Sequence, residues 1–331
     1  MEHYFTFNKF LKDKFGKKVR KIPVDVGLGC PNRENGKTGC IFCNPASYVP
    51  AWTLEKISIE GQIQAGLEIT KKKDSLALVY LQAGTNTYAD PLLLERIYKS
   101  VFIDESIVGL IIGTRPDCLS DEVIDLISDL NKNHYCAMEI GIQACDDNIL
   151  NLLKRGHVHQ DSINAVKKLA KKNIDVFAHV ILGLPGHDEK TVIKEAQEIS
   201  KLDLRGVKIH NFHVCKDTEL EGVYKGTREQ GNEGTRGVDF GAPEASHPGL
   251  VSGSFEHVLN LLSENEYIDL LVSYLAHLNP NFSILRLFAD TKPDLMLAPK
   301  WKKLKSELIL MLNQKMDRES LFQGKYFKNS N

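Results

Sequence analysis

From residue 22 onward, short apolar runs alternate with amphipathic stretches. Residues 22–30 (IPVDVGLGC), 75–83 (SLALVYLQA), 106–116 (SIVGLIIGTRP), 134–144 (HYCAMEIGIQA), 174–186 (IDVFAHVILGLPG) and 205–214 (RGVKIHNFHV) read as strands. The segments between them read as helices. In 58–73, Ile59, Ile63, Leu67 and Ile69 share an apolar side. Residues 90–102 carry Pro91 in the first turn, where its missing N–H costs nothing. In 119–133, Ser120 is an N-cap and Val123, Ile124 and Ile127 face inward. Residues 146–156, 160–173 and 188–202 complete the helices. Six strands, each separated from the next by helix, predict right-handed β-α-β units and a parallel sheet. The strands are almost wholly apolar, as when both faces of a sheet are covered. A doubly wound sheet and a barrel-like sheet both satisfy this pattern.

Beyond Val214 the alternation breaks. Residues 226–254 are rich in Gly, charge and Pro with few large apolar side chains, which predicts a flexible loop. A helix over 265–278, a short strand over 282–288 and a helix over 300–317 then form a C-terminal extension. The expected organisation is a basic segment 1–22, an α/β domain 23–225, the loop 226–254 and the extension 255–331.

A chain of 331 residues, 42% hydrophobic, can bury a large core. Its net charge of -1 implies no global field for polyanions. The basic residues are nonetheless clustered: Lys9, Lys12, Lys14, Lys17, Lys18, Arg20 and Lys21 near one end, Lys300, Lys302, Lys303 and Lys305 near the other. No apolar run reaches the roughly 18 residues of a membrane span, and the first residues lack the pattern of a secretory signal. Seven cysteines with no ladder of spacings point to reduced thiols and a cytoplasmic protein.

Three of those cysteines, Cys30, Cys40 and Cys43, fall in one loop, CPNRENGKTGCIFC. No histidine lies between His3 and His134, and no cysteine between Cys43 and Cys118. A closed zinc site would need a distant fourth ligand or Asp25. Three thiolates instead suit a 4Fe-4S cluster that keeps one iron open to a ligand. Gly36 and Gly39 let the loop fold back around a bulky group.

These motifs resemble the radical S-adenosylmethionine (SAM) superfamily, and within it the YhcC/YtqA-type group. The resemblance rests on KIPVDVGLGCPNRENGKTGCIFC, LQAGTNTYA, IGTRPDCLSDEV, EIGIQ, KRGH, HVILGLPG and VKIHNFHV in that order, with DLMLAPKW and FQGKYF after them. It covers roughly residues 4–225 and 264–327. The nine residues between Cys30 and Cys40 depart from the usual superfamily spacing and are similar to the Elongator catalytic subunit. The segment 226–254 is a departure from the group and reads as a linker. The resemblance implies a partial (β/α)6 TIM-like barrel with a C-terminal α/β extension. It also implies a 4Fe-4S cluster on Cys30, Cys40 and Cys43 that reductively cleaves SAM to a 5′-deoxyadenosyl radical.

By the same resemblance, Phe42 packs on the adenine, and Gly84, with Thr85 beside it, lets backbone approach the methionine amino group. Gln143 and Arg155 match SAM-contacting positions of the coproporphyrinogen dehydrogenase relatives, Arg155 being a fork suited to a carboxylate. Ile181 packs on the ring, Gly183 and Gly186 bring backbone to its edge, and Glu139 or Arg115 stands near the ribose. His179, His210 and His213 read as satisfied core histidines. Cys118, Cys145 and Cys215 lack paired spacing and read as small buried hydrophobes rather than a second cluster.

The resemblance further implies a role in building the aminomethyl group on tRNA wobble uridine, with the basic N-terminal segment on phosphates and a flavodoxin- or ferredoxin-type electron donor. Two alternatives stay open: a radical SAM enzyme acting on a small molecule such as a porphyrin, and a non-enzymatic metal-stabilised scaffold.

Overall fold

A computed structural model describes residues 2–47, 49, 57–70, 75–229, 259 and 261–328. Helix α1 (Phe7–Phe15) leads into β1 (Val19–Val24). Then α2 (Ile59–Thr70), β2 (Leu76–Leu81), α3 (Pro91–Lys99), β3 (Ile107–Thr114), α4 (Asp121–Leu130) and β4 (Tyr135–Gln143) follow. After α5 (Asp147–Leu152) and α6 (His159–Lys171) come β5 (Asp175–Leu182), α7 (Glu189–Ser200), β6 (Gly206–Asn211), β7 (Val214–Cys215) and α8 (Glu219–Glu229). The rest is α9 (Glu264–His277), β8 (Ser283–Arg286), β9 (Met296–Ala298) and α10 (Lys305–Arg318).

The main sheet is parallel, in the order β1-β2-β3-β4-β5-β6-β8, and curls into a half-barrel. Side chains of alternate strand positions go outward, where Val79, Ile112, Met138, Val176 and Val207 meet Leu94, Ile124, Leu169, Val192 and Ile268 of the covering helices. Burial on this scale, at about 25 cal/mol per Å² of apolar surface, is what holds the layers together. The helix starts obey local chemistry. Asp90 accepts from the backbone of Leu92 and Leu93, Ser120 from Val123, and Ser263 and Glu266 cap each other reciprocally.

Several expectations are corrected here. The sheet has seven strands rather than six, because β8 of the C-terminal extension pairs with β6 instead of packing on the domain from outside. The first strand ends at Val24, so residues 25–30 form an irregular approach to Cys30 that Gly27, at φ 72°, helps to turn. Ile69 is 66% exposed, off the apolar side expected of it. Residues 226–229 continue α8, and the remainder of the expected loop, 230–254, lies outside the described residues.

The basic N-terminal segment is also not where a nucleic-acid contact at the mouth would put it. Residues 7–15 are helical, capped by Thr6 and ended by Gly16. Helix α1 packs against both sheet edges, β1 and β8, and Thr6 pairs with Ile284. Phe7 and Phe10 stack and set their rings edge-on to Phe177, near the N-terminal end of β5. Lys14 reaches Asp175, the first residue of β5, at 3.2 Å. Helix α1 therefore plugs the end of the half-barrel opposite the strand C-termini. Lys21 points inward over the rings of Phe7 and Tyr80, and burial pushes its amine down to about 8.

Candidate active site

At the C-terminal ends of the strands, where α/β barrels place their chemistry, a cavity of about 460 Å³ opens. The loop after β1 forms one wall. Cys30 precedes a short turn, 31–33, and Cys40 is buried with Cys43 bonded back to its carbonyl at 3.0 Å. Glycine is favoured at Gly39: its φ is 92°, and a Cβ would come within 2.9 Å of Arg33 Nε and push aside the guanidinium that donates to the Cys43 carbonyl.

The loop is clamped to the segment after α5. Asn32 Nδ2 donates to the Lys154 carbonyl at 2.6 Å, and Ile41 N–H to the Leu153 carbonyl at 3.2 Å. Arg155 lies in that segment, past the helix rather than on it as expected. It donates from Nη1 to Cys40 Sγ at 3.1 Å and from Nη2 to the Gly141 carbonyl at 2.9 Å. Asn32 adds a second contact to the same sulfur at 3.4 Å. Such donors favour a sulfur carrying negative charge.

The β2 loop closes on this wall. Thr85 N–H donates to the Gly29 carbonyl at 2.9 Å. A Cβ on Gly84, at φ 73°, would sit 2.3 Å from the Leu28 carbonyl oxygen, so only glycine fits. Gln143 ends β4 with an unusual φ of 70°, and its buried Oε1 has no hydrogen-bond partner. Arg155 Nε is buried and unpartnered too. Of the residues singled out in the sequence, Phe42, Gly84, Thr85, Glu139, Gln143, Arg155 and Ile181 line this cavity with the three cysteines. Arg115 lines it as well, held by Asp117 at 2.7 Å. Gly183 does not: its α-carbon faces Leu262 instead.

The cavity's deeper part adds Lys208 and Tyr80, not singled out in the sequence, to Glu139. Lys208 Nζ lies 2.7 Å from Glu139 Oε1, which also accepts from the Tyr80 hydroxyl at 2.6 Å. Burial alone would push the Glu139 carboxyl up, but Lys208 and Lys21 outweigh it and bring it down to about 2. His179 and His210 also line the cavity, rings 4.2 Å apart, which corrects their reading as core residues. Burial, and then the Lys208 charge, drives His179 down to about 3; burial likewise lowers His210. In both, burial favours the neutral form. A period-two count along β4, β5 and β6 would have found this set, since a lysine in a buried strand signals a partner.

The donor set can be tested against a cluster. Among the described residues, no three His, Cys, Asp or Glu side chains converge on one point as ligands of a single ion do. Cys30, Cys40 and Cys43 all line this one cavity, and cysteine thiolates are the ligands that the irons of a 4Fe-4S cluster take. The other thiols are held neutral: burial pushes Cys118 up to about 11 and Cys136 up to about 12, and raises Cys145 and Cys215. Gln143 Oε1 and Arg155 Nε leave a polar acceptor and donor beside the cysteines, suited to an amino acid's ammonium and carboxylate.

Comparison with known proteins agrees. Residues 24–199 match the profile of the Radical SAM superfamily, and 255–318 that of its C-terminal domain. The chain belongs to the radical SAM superfamily. Within it, the chain groups with the YhcC/YtqA-type proteins. It is 34% identical to the protein MJ0486 of Methanocaldococcus jannaschii, over 98% of this chain and 92% of the relative. It is 31% identical to YtqA of Bacillus subtilis, over 99% of this chain and 94% of the relative. A shorter stretch, 37% of this chain and 24% of the relative, is 34% identical to a tRNA uridine(34) acetyltransferase of M. jannaschii. The structure of Elp3 from Methanocaldococcus infernus shares the fold, with a TM-score of 0.64 and 18% identity over 92% of this chain and 64% of that one. The protein is a radical SAM enzyme whose cofactors are a 4Fe-4S cluster and SAM. Among the described residues, no helix is long and apolar enough to cross a membrane.

Proposed function

We propose that the enzyme modifies the wobble uridine of tRNA, with Cys30, Cys40 and Cys43 as the cluster ligands. The observation that carries the substrate is the 34% identity, over 131 residues, to a protein whose name specifies uridine 34 of tRNA. The cluster and SAM, once bound, supply a 5′-deoxyadenosyl radical that removes a hydrogen atom from the substrate. The chain's residues do the rest. Arg155 and Asn32 stabilise charge on Cys40. Arg155 Nε and Gln143 Oε1 orient the methionine end of SAM beside them. Thr85 and Gly84 hold the β1 and β2 loops together as the roof of that site. Phe42 and Ile181 offer apolar surface for the adenine ring and exclude water from it. Glu139 is held by Lys208 on the same cavity wall. In this reading the protein works in the cytoplasm, where tRNA is found, and takes its electron from a flavodoxin- or ferredoxin-type donor.

The test is mass spectrometry of tRNA nucleosides from a strain lacking the gene. A truncated wobble-uridine modification, restored by the wild-type gene and not by a Cys40→Ala copy, is expected. An unchanged nucleoside profile would overturn the reading and favour a small-molecule substrate.

A further inference from the structure

The lower cavity holds a polar set that neither the cysteine loop nor the SAM-facing residues use. Glu139, His179, Lys208 and His210 project from β4, β5 and β6 into one space, with Tyr80 from β2. Glu139 is 4% exposed. Its Oε1 is occupied by Lys208 and Tyr80, but its Oε2 is buried with no hydrogen-bond partner. The Nε2 atoms of His179 and His210 are buried and unpartnered as well. A buried polar atom without a partner costs about 1–3 kcal/mol, more when charged. All three atoms belong to residues that line one cavity, a set of unsatisfied groups that a polar ligand entering there can satisfy.

Its chemistry is restrictive. An ionised carboxylate oxygen can only accept, so Oε2 calls for a donor. The nearby charges are Lys208, Lys21 and Arg286 against Glu139 and Asp290, a cationic excess that disfavours an ammonium donor. A neutral N–H or O–H donor is left, and on the wobble-uridine reading the base supplies an N–H flanked by carbonyl oxygens that an imidazole N–H can contact. We infer that Glu139 Oε2 accepts the imide N3–H of a uracil base, with His179 and His210 beside its carbonyl oxygens, so that Glu139 decides between uracil and cytosine. This rests on the wobble-uridine reading.

The placement suits the chemistry. Glu139 lies four residues before Gln143 on the same inward side of β4, about 13 Å deeper at a strand's rise per residue. A base seated with N3 at that depth turns its C5–C6 edge up toward the cysteine wall. Cytosine would present a lone pair at N3 to a carboxylate, an acceptor against an acceptor.

The experiment measures binding of anticodon stem-loops to the anaerobically reconstituted holoenzyme with SAM. The stem-loops carry uridine, 3-methyluridine or cytidine at the wobble position. Uridine is expected to bind at least about 10-fold tighter than the other two, the scale of one charge-assisted hydrogen bond. Glu139→Gln can turn an amide N–H toward cytosine N3, so the uridine-to-cytidine ratio should fall toward one. Because that change leaves Lys208 without its partner, Glu139→Gln with Lys208→Met is measured alongside, with circular dichroism to verify folding, and the same fall is expected. Equal binding of all three stem-loops by wild type overturns the assignment while leaving the wobble-uridine reading in place. A ratio unchanged in both variants also overturns it. No binding of any stem-loop overturns the assignment and the reading together.

Discussion

The two ends of the half-barrel are built from the same strands and are opposite in kind. At the N-terminal end, Leu78, Ile111, Ala137 and Phe177 are fully buried against Phe7 and Leu11 of α1, a dry plug. Two residues further along β2, β4 and β5, the same inward side carries Tyr80, Glu139 and His179. Further still come Gly141, Gln143 and Ile181, and then the loop cysteines. Stability is concentrated where the strands begin and chemistry where they end. One sheet can therefore hold a left-handed backbone at Gln143 and a buried carboxylate oxygen without a hydrogen bond at Glu139, because the packing that supports them lies elsewhere.

That division can be broken from either end. Replacing Cys30, Cys40 and Cys43 together with alanine should abolish iron binding and the formation of 5′-deoxyadenosine with dithionite and SAM, while circular dichroism stays native. Iron retained by the triple variant would refute the ligand assignment. At the plug, Phe177→Ala should cost about 3–5 kcal/mol of stability in denaturant titration, with the surviving folded protein still cleaving SAM. A variant of ordinary stability that no longer cleaves SAM would show that the two ends are not separable.

A subtler probe lies behind the mouth. Glu195 on α7 accepts the Cys145 backbone N–H at 3.1 Å, two residues past Gln143, with His187 and Tyr274 buried near it. Burial, with Asp146 nearby, pushes its carboxyl from 4.5 up to about 8. Because the folded value lies above the unfolded one, the stability it adds is complete below pH 4.5 and is lost as pH rises toward 8. Glu195→Gln, which keeps the acceptor, should match wild type near pH 4.5 and exceed it at pH 8 in denaturation midpoint. A constant difference across that range would refute the coupling. The smallest effect belongs to the plug's outer surface. Neutralising the exposed Lys12, Lys17 and Lys18 should leave the affinity for tRNA and its salt dependence within error of wild type, since these lysines stand at the end away from the cavity. A shallower salt slope would place the nucleic acid on the plug.

What could be read in the sequence was local. The cap at Ser120, Pro91 in the first turn of its helix and the cysteine loop depend on residues a few positions apart. The seventh strand was not legible in that way: FSILRLF looks the same whether it packs outside the domain or extends the sheet beside β6, about 70 residues earlier in the chain. Helix α1 was hidden because its lysines draw attention from Phe7 and Leu11, which do the packing. The histidines were misread for a third reason. Burial in a strand says nothing about whether the neighbouring space is filled by side chains or left as cavity, and His179 and His210 face cavity. Gly183 resembles a ligand-approach glycine in its motif, yet its open side is taken by Leu262 from a distant part of the chain.

Gln323 gives the fold an order in time. Its Oε1 accepts from the Phe5 N–H, its own N–H meets the His3 carbonyl, and its Nε2 bonds the carbonyls of Asn279 and Phe282, just ahead of β8. Phe5 in turn accepts from Ile284. Residues 3 and 5 are thus fastened by a side chain some 320 positions later, and α1 has no completed seat until residue 323 has been made. During synthesis the nascent half-barrel carries an unplugged end, with Phe177 and Ile111 bare and the edge of β6 unpaired. That is the interval in which a chaperone has most to cover.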